Sequence, residues 1–243
     1  MQSKSYQCIP LLATLLCAQA ALAQTNATGN LLRSDNGLPL AQAIVVAAPQ
    51  KFTPGTPPKL VRAQTALDGS FYFGNLPLGD YRFCLALLGD YLNPCEWPSK
   101  NDPGRVTLGG GDPKLRLRAD PGRRVSLKLN DVSGALQRPL ATGKLPEPVV
   151  LVVDRAGKIW RRIMPSSTDG VTFSDLVPDD STYGFAVGNT DLAFGDGSGK
   201  SIAAKAFIPF APKLTPDQRA SLRLMHHRDP DDPPTVVHVL GAR

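Results

Sequence analysis

Proline and glycine interrupt this chain too often for it to be built from long helices. With 22 Gly and 23 Pro in 243 residues, nearly one position in five is a turn former, against about one in eight on average. In a helix interior Pro costs about 3 kcal/mol and Gly about 1 kcal/mol, whereas short strands joined by turns absorb both. The stretches between interruptions carry strand patterns. Ala43 to Ala48 and Val149 to Val153 are continuous apolar runs, the signature of strands covered on both faces. Leu115-Arg116-Leu117 and Val125 to Leu129 alternate apolar with polar, as strands with one wet face do. A hydrophobic fraction of 42% with 20% charged residues suffices for a core, so the chain is not disordered throughout. The expected fold class is all-β.

The first residues read as a targeting segment rather than as structure. Lys4 supplies a basic start, Ile9 to Leu16 an apolar stretch, and Ala21-Leu22-Ala23 a small-residue cleavage signature. Residues 1–23 are therefore expected to be a signal peptide cleaved after Ala23, leaving a secreted or periplasmic protein. The apolar run is too short to cross a membrane, and no later stretch reaches the ~18 residues that a span needs. Lipid attachment at Cys17 is the alternative, and Leu15-Leu16 ahead of it makes a poor lipobox. Cys8 and Cys17 leave with the signal peptide, so Cys84 and Cys95 remain and are expected to pair in an oxidising compartment. The net charge of +6 is modest, and nucleic acid is not an expected partner of an exported chain.

The two halves share a grammar. Asp68-Gly69 and Asp169-Gly170 are both hairpin signals, because Gly accepts φ > 0 without a Cβ penalty. Phe73-Gly74-Asn75-Leu76 is echoed by Phe173-Ser174-Asp175-Leu176, and Tyr81-Arg82-Phe83 by Tyr183-Gly184-Phe185. Two tandem β-sandwiches are expected, of residues 24–119 and 120–243, with one larger sandwich as the alternative. Asp120-Pro121-Gly122 marks the break, although the strand after it could belong to either half. Thr215-Pro216-Asp217-Gln218 reads as an N-cap with Pro at the first helical position, which predicts one short helix to about His226. Val236 to Leu240 is the expected last strand.

Gly29, Gly37-Leu38-Pro39-Leu40 and Ala43-Ile44-Val45, followed by Thr65 to Phe73 and Leu76-Pro77-Leu78-Gly79-Asp80-Tyr81, resemble the carboxypeptidase regulatory-like domain. The resemblance covers residues 28–90, with looser strands to 130, and is repeated in outline in the second half. It implies an immunoglobulin-like or transthyretin-like Greek-key sandwich of seven strands, grouped with carbohydrate-binding-like folds. These motifs are specific for fold and weak for function. The residues also have their own physical reasons: Gly37 and Gly69 relieve turn strain, while Phe71, Phe73 and Tyr81 fill the space between sheets.

No catalytic constellation is legible. A zinc hydrolase needs His and carboxylate ligands at fixed spacing, yet the three His are His226, His227 and His238, near the end of the chain. Gly195 to Lys200 lacks the frame of a phosphate loop and reads as a hairpin tip. The basic clusters Arg116, Arg118, Arg123, Arg124 and Lys158, Arg161, Arg162 read as solvated strand faces. No cofactor or metal is expected, and the chain reads as a non-catalytic binding module or a structural spacer. A hydrolase with an unrecognised site in the second half is the enzymatic alternative. The candidate glycan-binding residues are Tyr91, Asn93, Glu96 and Trp97, in and beside the loop closed by Cys84 and Cys95. Sugars stack C–H faces on rings and bond their hydroxyls to amides and carboxylates. The competing reading is that Tyr91 and Trp97 fold back to cap a sheet edge. A polysaccharide or another cell-envelope protein is the expected partner class. Asn26-Ala27-Thr28 spells a glycosylation sequon.

Overall fold

The computed structural model describes residues 24–51, 58–86, 89–97, 105–167, 170–226 and 231–242. The expected signal peptide, Asp169 and His227 lie outside the described residues. In chain order the first strands are β1 (Gln24–Arg33), β2 (Ile44–Pro49), β3 (Val61–Gln64), β4 (Ser70–Pro77), β5 (Gly79–Ala86), β6 (Arg105–Leu108) and β7 (Lys114–Ala119). They form two sheets, β4-β1-β7 and β3-β2-β5-β6, which enclose one apolar core. Leu31, Val45, Leu76, Phe73 and Phe83 are its most deeply buried large side chains. Strand β1 starts as early as Gln24 because Thr25 and Ala27 continue the buried alternation of Gly29 and Leu31.

The second set comprises β8 (Gly122–Asn130), β9 (Val149–Asp154), β10 (Ile159–Ile163), β11 (Thr172–Pro178), β12 (Tyr183–Gly188), β13 (Leu192–Gly195), β14 (Ser201–Ile202), β15 (Ile208–Pro209) and β16 (Thr235–Ala242). Their sheets are β11-β8-β16-β13-β14 and β10-β9-β12-β15, closed over a second core that includes Leu127, Val152, Phe173, Phe185 and Phe194. The fold is an all-β sandwich architecture with one short helix near the C-terminus.

Strand pairing repeats along the chain. β1 lies between antiparallel β4 and parallel β7, and β8 lies between antiparallel β11 and parallel β16. β2 is flanked by β3 and β5, and β9 by β10 and β12. β6 borders β5 as β15 borders β12. The second sandwich adds the β13–β14 hairpin and the helix α1 (Pro216–His226) before its closing strand.

Local chemistry explains these element ends. Gly69 holds φ +75° in the β3–β4 turn, and a Cβ there would lie 2.5 Å from the Leu31 carbonyl, so both the angle and the close approach require glycine. Thr215 Oγ1 accepts from the Gln218 N–H while Gln218 Oε1 accepts from the Thr215 N–H, a reciprocal capping box that starts α1. Gly195 to Lys200 forms the tip of the β13–β14 hairpin, where Asp196 Oδ1 accepts from the Ser198 and Lys200 N–H groups.

Candidate functional site

Cys84 on β5 and Cys95 are joined by a disulfide, with Cα atoms 5.3 Å apart. The loop that it closes is held from inside by one side chain. Asn93 Oδ1 accepts from the Leu85 and Cys95 N–H groups at 3.2 and 3.0 Å. The Asn93 carbonyl accepts from the Glu96 and Trp97 N–H groups, both at 3.0 Å. Asn93 Nδ2 donates to Glu96 Oε1 at 3.1 Å, and Arg82 donates to the Pro94 carbonyl at 2.7 Å. With its amide so committed, Asn93 organises the loop rather than facing solvent as a hydrogen-bonding group for a ligand.

Trp97, expected either as an exposed platform or folded back to cap a sheet edge, is folded back, but against the second sandwich rather than the first. Its ring is only 3% exposed and sits in the core of the second sandwich. It stacks on Trp160 of β10 with centroids 6.2 Å apart, and meets the edge of Tyr183 of β12 at 5.7 Å. Trp160 and Tyr183 close the triangle at 5.8 Å. Leu92 joins the same core. Tyr91 remains on the first sandwich, half-buried, with the Arg33 guanidinium 5.5 Å from its ring centroid. The four candidates are close in sequence, but the two aromatic rings serve different cores and form no common face.

Backbone bonds stitch the loop across the break. The Leu92 N–H donates to the Asp120 carbonyl at 2.8 Å, and the Gly122 N–H to the Asp90 carbonyl at 2.7 Å. Glu96 Oε2 accepts from Arg161 on β10 at 2.5 Å, so Glu96 also faces a protein partner. Arg161 Nε lies 3.3 Å from Asp175 Oδ2 on β11, a close contact without the alignment of a full hydrogen bond. Burial pushes the Asp175 carboxyl above the ordinary carboxylate range, and the Arg161 charge only partly offsets it. Arg161 is therefore a clamp between the two sandwiches, while its side chain stays 43% exposed on the expected basic face. Trp160, Arg161, Asp175 and Tyr183 are the junction residues whose role the sequence did not reveal. Asp175 and Tyr183 surfaced only in the echoes between the two halves, which spoke of fold, and Arg161 only as one of a basic cluster.

Beside this junction lies an open polar cleft of about 410 Å³. Its arginines are paired: Arg123 with Asp232 at 3.2 Å, Arg219 with Asp232 at 2.8 Å, and Arg124 with Asp90 at 3.4 Å across the break. Burial raises the Asp232 pKa, but the Leu214 N–H and the two guanidiniums outweigh it and hold the carboxyl below its ordinary value. Arg123 is thus half-buried structure, a departure from the expected solvated face. His238 contacts Asn130 and the Gly197 carbonyl. Among the described residues no group of three or more His, Cys, Asp or Glu side chains could hold a metal ion. No helix there is long and apolar enough to cross a membrane.

The sequence matches no family profile and no curated protein. Among solved structures, the chain is similar to the Bacillus anthracis TIE protein, at 13% identity and TM-score 0.31 over 88% of this chain. It spans about a third of that protein, 32% of its length. It is similar to a streptococcal ancillary pilin, at 14% identity and TM-score 0.34, over 92% of this chain and 63% of the pilin. A candidate carbohydrate-binding protein of Pseudomonas aeruginosa matches 40% of this chain and 89% of its own, at 17% identity and TM-score 0.26. These likenesses are loose.

Proposed function

We propose that the chain is an exported, non-catalytic binding module of the carboxypeptidase regulatory-like kind, in which two sandwiches act as one rigid body. Its partner is a polysaccharide or another cell-envelope protein. One observation carries this reading: the disulfide-stapled loop of the first sandwich places Trp97 inside the core of the second. A loop built for display would leave that ring in water, whereas this one spends its largest side chain on joining two bodies. Rigid coupling lowers the entropy lost when an extended partner lies across both sandwiches. The basic start and small-residue cleavage signature support export, and so does the disulfide. A structural spacer in a surface assembly is the second reading, favoured by the same rigidity.

Rotational diffusion of residues 24–243 tests the coupling. NMR relaxation should give one tumbling time for both sandwiches. Trp97→Ala should cost about 3–5 kcal/mol of stability, the usual range for emptying a buried aromatic site, and should split the tumbling into two. Independent tumbling in the unaltered protein would refute the reading, as would a Trp97→Ala variant that loses no stability.

A further inference from the structure

The outer face of the β4-β1-β7 sheet has a composition of its own. Burial alternates along all three strands, so Phe71, Gly29 and Leu115 face the core while their neighbours face out. Lys114, Arg116 and Arg118 are exposed in succession on β7. Alternate residues of a strand lie about 6.6 Å apart, which makes a straight row of three cations. Beside them on β1 stand Thr28, opposite Lys114, and Asn30, opposite Arg116. On the far side, Tyr72 lies opposite Thr28 and Ser70 opposite Asn30. Tyr72 is 58% exposed, and its hydroxyl donates to Asn26 Oδ1 at 3.0 Å, which fixes the ring across the sheet. The outward positions of these strands include no Asp or Glu, and no described acidic side chain forms an ion pair with the three cations. Their row contrasts with the arginines of the polar cleft, each bound to a carboxylate. A shallow trough of about 700 Å³ runs over this face.

We infer that this sheet face binds an acidic polysaccharide, with sugar carboxylates along the Lys114–Arg116–Arg118 row and a sugar ring against Tyr72. The three elements have distinct tasks. Cations in a row match a polymer with regularly spaced negative charge, amide and hydroxyl groups on β1 match sugar hydroxyls, and an exposed ring offers a stacking face. An anionic membrane is the less suitable occupant, since Thr28, Asn30 and Ser70 offer hydrogen bonds where a bilayer surface rewards apolar insertion. The inference names the ligand class within the binding-module reading. It fails separately from that reading, because every residue of the face lies on one sheet of the first sandwich and does not depend on coupling to the second.

The test is binding of residues 24–243 to polygalacturonate, to neutral dextran and to phosphatidylglycerol vesicles at low and moderate salt. Polygalacturonate should bind and weaken as salt rises, while dextran and vesicles should bind at least tenfold less well. The pair Arg116→Ser with Arg118→Ser should weaken polygalacturonate binding at least tenfold. Tyr72→Ala should weaken it several-fold at unchanged salt sensitivity. Lys144→Ser with Lys200→Ser removes the same charge from exposed positions of the second sandwich and should leave binding within twofold. All these positions are exposed, so folding is checked by an unchanged melting temperature. No binding of polygalacturonate, an equal loss in the Lys144/Lys200 variant, or equal binding to the vesicles would each overturn the inference.

Discussion

At the scale of single residues, Asp175 is a carboxyl in unfavourable surroundings. It shares the inward alternation of β11 with Phe173 and Val177, and its Oδ2 is buried without a hydrogen bond. Burial raises its folded pKa, with the Arg161 charge acting the other way. A carboxyl whose folded pKa is raised contributes stability below its unfolded pKa and loses that contribution as pH rises through the folded value. At neutral pH the charge is therefore a cost. Asp175→Asn should raise the melting temperature at pH 7 and flatten its change just above the ordinary carboxylate range. A thermal melt series from pH 4 to 8 checks both, and a variant less stable than the parent at pH 7 would show that the Arg161 contact outweighs burial. Asn93 makes the complementary point: one amide supports the turn by accepting from two backbone donors, where the sequence suggested a polar group for a ligand.

At the scale of elements, the β5–β6 pairing is tied by a carboxylate. Asp80 at the start of β5 bonds to Arg105 and, at 2.6 Å, to Thr107 on β6, with Lys51 at 4.0 Å. The Arg105 hydrogen bond, then that of Thr107, depresses the Asp80 pKa to about 2. For a depressed acid the contribution is present above the unfolded value, near 4, and is lost as pH falls through the folded value. The β5–β6 amides should thus lose protection, relative to their intrinsic exchange rates, between about pH 4 and pH 2. Asp80→Asn should show that lower protection already at pH 7 and little further loss on acidification. Hydrogen exchange of the Tyr81 and Val106 amides reads this directly, and parent-like protection in the variant would refute the tie.

At the scale of the molecule, the two cores differ in how self-sufficient they are. The first core draws on residues 27–119 alone, whereas the second takes in Leu92 and Trp97 from before the break. We therefore expect residues 24–119 to fold alone with Trp97 exposed to water. Residues 120–243 should fold with lower stability, because a slot beside Trp160 and Tyr183 stands empty. Mixing the fragments should shift the tryptophan emission of the first fragment to the blue. Unchanged emission on mixing, with both fragments folded, would mean that the interface needs the covalent link. An unfolded first fragment would show that its core depends on the second.

What the sequence determined by itself follows short-range rules. Gly and Pro density, apolar runs and period-2 aromatics established an all-β chain, Thr215 marked the start of α1, and elimination among four cysteines paired Cys84 with Cys95. Each depends on residues close together in the chain or on a count. The functional candidates needed more. Trp97 meets Trp160 and Tyr183, Glu96 meets Arg161, and Thr28 meets both Tyr72 and Lys114 across the sheet. No periodicity encodes such contacts, because side-chain spacing along a strand tells which face a residue takes and not what that face will meet. Tertiary structure alone decided that the stapled loop is a joint, since only packing brings the second core to it. It likewise left the row on β7 open to solvent, because no described acidic side chain was brought against it.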